Sequence, residues 1–119
     1  MGASSRRAHR PEDLTRLFVE CANAGDAEGM AELYAPDAIM AFPPGQLTIG
    51  REKIQALCEQ MVAARPQFKF EPPLTTLVLG DLALTATRAT DEAGARAQVA
   101  QRQSDGTWLR ILDRPDFRG

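Results

Sequence analysis

Apolar residues recur at helical spacing in the first half of the chain and at alternate positions in the second, so the change of period divides the fold. Leu14, Leu17, Phe18, Cys21 and Ala22 form one buried stripe. Pro11, Glu12 and Asp13 mark its start, because proline suits the first helical turn and acids oppose the positive end of the helix dipole. Gly25 ends this helix as a left-handed cap. Asp26 caps a second, short helix with Met30, Leu33 and Tyr34 on its apolar side, and Pro36 stops it.

From Asp37 the period is two, with Ala38, Met40 and Phe42 on one side of a strand and Ile39 and Ala41 on the other. Pro43, Pro44 and Gly45 end it. A third helix opens near Gly50 and shows Ile54, Leu57, Cys58, Met61 and Val62 at helical spacing as far as Pro66. The remainder predicts a meander of strands near 67–79, 82–91, 95–103 and 107–113, with a bend at Pro72 and Pro73. Turns fall at Gly80-Asp81, Glu92 to Gly94 and Ser104 to Gly106. Helices first and hairpins after give an α+β fold, three helices packed on one face of a curved, mostly antiparallel sheet. A curved sheet over helices forms a cone, a natural ligand pocket.

Composition narrows the function classes. With 119 residues the chain suits one core, read as a single domain over 11–119 after a loose tail over 1–10. The formal charge of −2 provides no basic field for nucleic acid, and no apolar run approaches the roughly 20 residues of a membrane span. A cytoplasmic protein without a cofactor is expected. Two cysteines, Cys21 and Cys58, and one histidine, His9, fall short of the roughly four ligands of a structural zinc site. The thiols read as buried and reduced rather than as a redox pair, and His9 as an incidental tail residue.

The segments Asn23-Ala24-Gly25-Asp26 and Tyr34-Ala35-Pro36-Asp37-Ala38, followed by a helix opening at Gly50-Arg51, resemble the nuclear-transport-factor-2-like (NTF2-like) superfamily, which includes ketosteroid isomerase and the SnoaL-type cyclases. Gly80-Asp81-Leu82-Ala83-Leu84-Thr85, Asp105-Gly106-Thr107-Trp108 and Ile111-Leu112-Asp113-Arg114-Pro115 look like small bacterial SnoaL-like proteins. The resemblance implies a conical, usually dimeric fold with a pocket between helices and concave sheet. It implies no reaction, because the fold hosts isomerases, cyclases, dehydratases and non-catalytic modules.

Ketosteroid isomerase chemistry needs a carboxylate base plus a tyrosine and a protonated aspartic acid at the oxyanion. Counted from the Asn-Ala-Gly-Asp segment, the family's base falls on Phe42 and its tyrosine on Phe18, while Ala93 to Ser104 contains no acid. Steroid isomerisation by that mechanism is not expected. Asp113 is the candidate acid or base for a cyclase- or dehydratase-type reaction, against the alternative of a structural partner for a nearby arginine. Phe18, Met40, Phe42, Leu57, Met61, Phe68, Phe70 and Ile111 are candidates to line a chamber for an apolar or aromatic small molecule, or simply to close the core. Trp108 reads as a packing residue, and Arg96, Arg102 and Arg110 as a solvated or dimer-facing stripe.

Register through the last two hairpins sets Arg88 opposite Ala97 and Ala97 opposite Asp113, on a face shared with Leu84, Ala86, Val99, Leu109 and Ile111. Taking that apolar face as inner predicts an Arg88–Asp113 pair across the pocket floor. Thr85, Thr87 and Ala89 then lie on the outer face, the expected surface of a homodimer. Three roles remain open: a small-molecule-binding protein, an enzyme using Asp113, and an assembly module with a filled cone.

Overall fold

A computed structural model describes residues 7–65, 67–88 and 96–115. Helices α1 (Asp13–Asn23), α2 (Ala27–Ala31) and α3 (Arg51–Ala63) pack on a sheet of β1 (Tyr34–Met40), β2 (Thr48–Ile49), β3 (Leu77–Leu79), β4 (Leu82–Thr87), β5 (Arg96–Arg102) and β6 (Trp108–Arg114). The strand order is β2-β1-β6-β5-β4-β3, antiparallel except where β1 runs parallel to β6. This is the α+β architecture that the hydrophobic pattern predicts.

The local chemistry at the helix ends is as the sequence indicates. Gly25 takes φ 74°, and the Gly25 and Asp26 amides donate to the Ala22 and Cys21 carbonyls at 3.1 and 2.8 Å, which closes α1 with a Schellman motif. The Asp26 side chain then accepts from the Gly29 amide at 2.9 Å and starts α2. Asp26→Ala removes this acceptor and is expected to lower stability by about 1 kcal/mol in urea unfolding. A Cβ at Gly29 would collide with Asp26 Oδ2, so Gly29→Ala disturbs the same cap from the other side.

Two elements differ from their sequence-based boundaries. Tyr34 does not belong to the second helix; α2 ends at Ala31, and Tyr34 opens β1, where it pairs with Arg110. The strand expected over 67–79 reduces to Leu77–Leu79, with an isolated bridge from Pro73 to Thr87. Two consecutive prolines remove the donors that a ladder requires. Side chains fasten this segment instead: Asn23 holds Phe68 by two backbone hydrogen bonds of 2.9 and 3.0 Å, and buried Glu71 accepts from Thr87 and Arg96 at 3.0 Å each. Of the segment read as a tail, Ala8 is buried and bridges to Trp108. Ala89, the turn at Glu92 to Gly94 and the tail before Arg7 lie outside the described residues.

The face assignment of the sheet is the main correction. On β4 and β5 alternation groups the residues as expected, but the apolar group is the outer one, and on β6 Asp113 lies with the inner set instead of with Leu84 and Val99. Ala83, Thr85, Thr87, Gln98, Ala100, Arg110 and Asp113 are buried on the side of the helices. Across the opposite face Ile49, Ile39, Leu112, Val99, Leu84 and Leu77 pair in one row through all six strands. Leu84 is 42 % and Leu112 47 % exposed. Period two tells which residues share a face but not which face is inner; here helices α1 and α3 supply much of the apolar filling, so the inner sheet face can carry polar groups.

Candidate functional site

Arg110 and Asp113 are three positions apart on β6, a spacing that places side chains on opposite faces of a regular strand. The ladder with β5 follows the expected register from Arg102–Trp108 to Ala100–Arg110, then shifts at Ile111 so that Val99 meets Leu112 and Gln98 meets Asp113. This bulge turns Asp113 inward beside Arg110. Ile111, the extra residue, is half-buried against the core.

Around the two charges lies a buried hydrogen-bonded cluster. The Tyr34 hydroxyl donates to Asp113 Oδ2 at 2.5 Å, and Gln98 Nε2 donates to Asp113 Oδ1 at 3.1 Å. Arg110 Nη1 donates to the Tyr34 hydroxyl at 3.2 Å and stands 3.8 Å from Asp113 Oδ2. Thr85 Oγ1 donates to Gln98 Oε1 at 3.2 Å, which extends the cluster into β4. Arg110 Nη2 donates to Thr15 Oγ1 on α1 at 3.3 Å, and the guanidinium lies 5.3 Å from the Phe18 ring centre and 5.7 Å from that of Tyr34. Arg110 Nε is buried without a hydrogen-bond partner among the described residues.

The protonation states follow from burial and neighbours. Burial, reinforced by Asp113, raises the Tyr34 phenol well above its ordinary range, so it serves as a neutral donor. Burial opposes the charge on Arg110, but Tyr34 and Asp113 outweigh it and the guanidinium is held in its charged form. On α3, burial first and then Asp113 and Glu59 push the Cys58 thiol up to about 12. Both thiols are fully buried, so neither Cys21 nor Cys58 is expected to react with a thiol probe at pH 8 before unfolding. Because the folded state keeps the Cys58 proton that an unfolded thiol releases near pH 8.5, its contribution is intact below about 8.5 and lost as pH rises toward about 12. Stability measured across that alkaline window is expected to fall, and less steeply in Cys58→Ala.

The sequence-based candidates separate into three groups. Met40 and Asp113 are buried and paired across β1 and β6. Phe18, Phe42, Leu57 and Met61 are half-buried against the same core. Phe68 and Phe70 are 37 % and 52 % exposed, outside the interior they were expected to line, although Phe68 meets Phe18 at 6.4 Å between ring centres. Arg88 is exposed past the end of β4 and does not pair with Asp113. The β4–β5 ladder runs two residues out of the expected register, with Ala86 opposite Ala97, and the cation at the carboxylate is Arg110. Hairpin register alone does not reach Tyr34 and Gln98, because it ignores the bulge and the return of β1 beside β6, and nothing in the α1 pattern signals the bond from Arg110 to Thr15. The interior ground of the expected pocket is occupied by Tyr34, Met40, Ile54 and Cys58, while among the described residues a groove of about 210 Å³ lies between Leu77, Leu79, Leu82 and Leu84, and one of about 280 Å³ between Ile39, Leu47, Leu84 and Leu112 is also lined by Gln98 and Asp113. No cluster of metal-ligating side chains occurs among the described residues.

The pattern of the SnoaL-like domain matches residues 15–112. The chain belongs to the SnoaL-like family. An NTF2-like protein with a cystatin-like fold from Novosphingobium aromaticivorans superposes with TM-score 0.69 at 23 % identity, over 86 % of this chain and 75 % of that one. A ketosteroid isomerase-like protein from Erwinia carotovora atroseptica gives 0.65 at 15 % identity, over 87 % and 89 %. A Thiobacillus denitrificans protein provisionally named a calcium/calmodulin-dependent protein kinase type II association domain gives 0.71 at 19 % identity, over 92 % and 98 %. No protein of curated function matches the chain. At these identities the likeness is one of fold. No helix among the chain's described residues is long and apolar enough to cross a membrane.

Proposed function

We propose that this SnoaL-like protein binds a small aromatic or apolar molecule at the edge of the cone, where α1 meets β6. The observation that carries this reading is the unfilled donor of Arg110, whose side chain is 4 % exposed. Buried donors are nearly always paired, so one without an acceptor marks a place where a ligand oxygen or a bound water completes the structure. Phe18, whose ring centre lies 5.3 Å from the guanidinium, and Phe68, which meets Phe18, supply apolar surface beside it. Asp113 is a weaker candidate for acid–base work, because both its oxygens already accept hydrogen bonds inside the cluster. Buried core thiols outside any disulfide suit a reducing, cytoplasmic setting.

A panel of small aromatic compounds tested by thermal shift, with native mass spectrometry of the purified protein, examines the reading. Binders are expected to raise the melting temperature of the wild type and to lose most of that effect in Phe18→Ala. A protein that purifies empty and responds to no compound at millimolar concentration would refute it.

A second reading, self-association as a homodimer, is favoured by a separate observation, the six-strand apolar row on the outer face. Exposed apolar surface on this scale marks an interface, and a second copy of the same chain offers a self-complementary one.

A further inference from the structure

Resting on the small-molecule reading above, we infer that residues 67–70 form a flap over the α1 side of the cone, latched by Asn23 and fixed at Glu71, which lifts to admit the molecule. From residue 67 onward the chain joins no ladder before the isolated bridge at Pro73. Of residues 67–75, Glu71 alone is buried. Phe68 meets Phe18 at 6.4 Å between ring centres, and the Arg110 guanidinium stands 5.3 Å from the same Phe18 ring. Neither of the two grooves is lined by Phe18. A molecule bound where α1 meets β6 therefore has to displace the Phe68 ring that lies against Phe18.

The two fastenings of this segment differ in strength. At Asn23, the last residue of α1, the side-chain amide donates to the Phe68 carbonyl at 3.0 Å and accepts from the Phe68 amide at 2.9 Å, both in exposed surroundings. Water replaces such bonds when they break, so little free energy separates the latched state from the open one. The buried Glu71 carboxylate instead accepts from Thr87 Oγ1 and Arg96 Nε at 3.0 Å each and from Arg96 Nη2 at 3.4 Å, while Arg96 Nη1 donates to the Pro115 carbonyl at 2.7 Å. Charge-assisted bonds of this kind hold more firmly. Beyond Glu71, Pro72 and Pro73 fix their own φ and restrict the residue before each to extended backbone, and the Leu74 amide donates to the Ala86 carbonyl at 2.8 Å. Movement is thus confined to the residues before Glu71. Lifting them uncovers Phe18 and leaves the sheet, α1 and the Glu71 anchor in place, the arrangement of a lid on a rigid frame.

Hydrogen exchange in the free, full-length ¹⁵N-labelled protein reads the opening, and toluene reads the passage. The amides of Phe68, Leu74 and Arg110, which donate to Asn23, Ala86 and Leu33, report on latch, anchor and core. Phe68 is expected to show protection at least about tenfold below that of Leu74 and Arg110, and to exchange at a rate that dilute urea leaves unchanged, because a local opening exposes little new surface. Equal protection at Phe68 and Leu74 would overturn the flap. Asn23→Ala removes both latch bonds from an exposed position. It is expected to raise the association rate of toluene roughly tenfold, read from line shapes of the Phe18 and Arg110 backbone resonances, since a molecule that waits for an opening associates in proportion to the open fraction. A purely structural role for Asn23 would not raise that rate. Equal association rates in the two proteins would overturn the flap and leave small-molecule binding standing. Toluene that shifts neither resonance, or only those of Leu84 and Val99 on the outer face, overturns the inference, and failure of the wider aromatic panel overturns the binding reading with it.

Discussion

Asp113→Ala is expected to cost the fold about 3–5 kcal/mol, the range for removing one partner of a buried ion pair. The carboxylate accepts the Tyr34 hydroxyl and the Gln98 amide and faces Arg110, so its removal strands two donors and a charge at once. Domains of this size have only about 5–15 kcal/mol in total, so the variant should melt far below the wild type, or fail to fold at 37 °C. Tyr34→Phe removes the hydroxyl but keeps the charges together, and a loss of about 1–3 kcal/mol is expected. The informative control is Arg110→Met with Asp113→Leu. Replacing both charges with apolar groups of similar volume leaves no unpaired ion, and should restore much of what Asp113→Ala loses. Urea unfolding of the four proteins measures these differences. A loss below about 1 kcal/mol in Asp113→Ala would show that the cluster is solvated and would return Asp113 to the list of acid–base candidates.

The cluster also shows where sequence reasoning succeeds and where it stops. Helix positions, the Gly25 and Asp26 caps and the grouping of strand residues by face follow from local rules, since each depends on neighbours a few residues apart. The partners of Asp113 do not. Tyr34 lies 79 residues away and reaches it only because β1 returns parallel to β6, a pairing without any turn between the strands to signal it. The bulge at Ile111 is likewise silent in the hydrophobic pattern, because it inserts an apolar residue into an apolar strand. Had the ladder stayed regular, Asp113 would share the outer face with Leu84 and Val99. Its inward position was expected from two errors that cancel, one in the face and one in the register.

The face error has a consequence for assembly. An apolar row on an outer sheet surface is costly in water, and the row of Ile49, Ile39, Leu112, Val99, Leu84 and Leu77 spans five interstrand steps, about 24 Å. Neighbouring Leu79 and Leu82, 81 % and 43 % exposed, widen it. The dimer surface is therefore sought on this apolar face and not on the Thr85 and Thr87 face, which the helices cover. Sedimentation at tens of micromolar is expected to give a dimer for the wild type and a monomer for Leu84→Glu. In a two-fold interface one substitution acts twice, so two carboxylates would enter the same apolar seam. Desolvating that pair costs several kcal/mol, and a loss of about 4 kcal/mol corresponds to roughly a thousandfold weaker dissociation constant. Leu84 makes no part of the inner core, so the far-ultraviolet circular dichroism of Leu84→Glu should match the wild type. Glutamate at Thr75, exposed and outside this row, serves as the control for added charge and should leave the dimer intact. A wild type that remains monomeric at high micromolar concentration would remove self-association as the reason for this face, and a dimer unaffected by Leu84→Glu would place the contact on another surface.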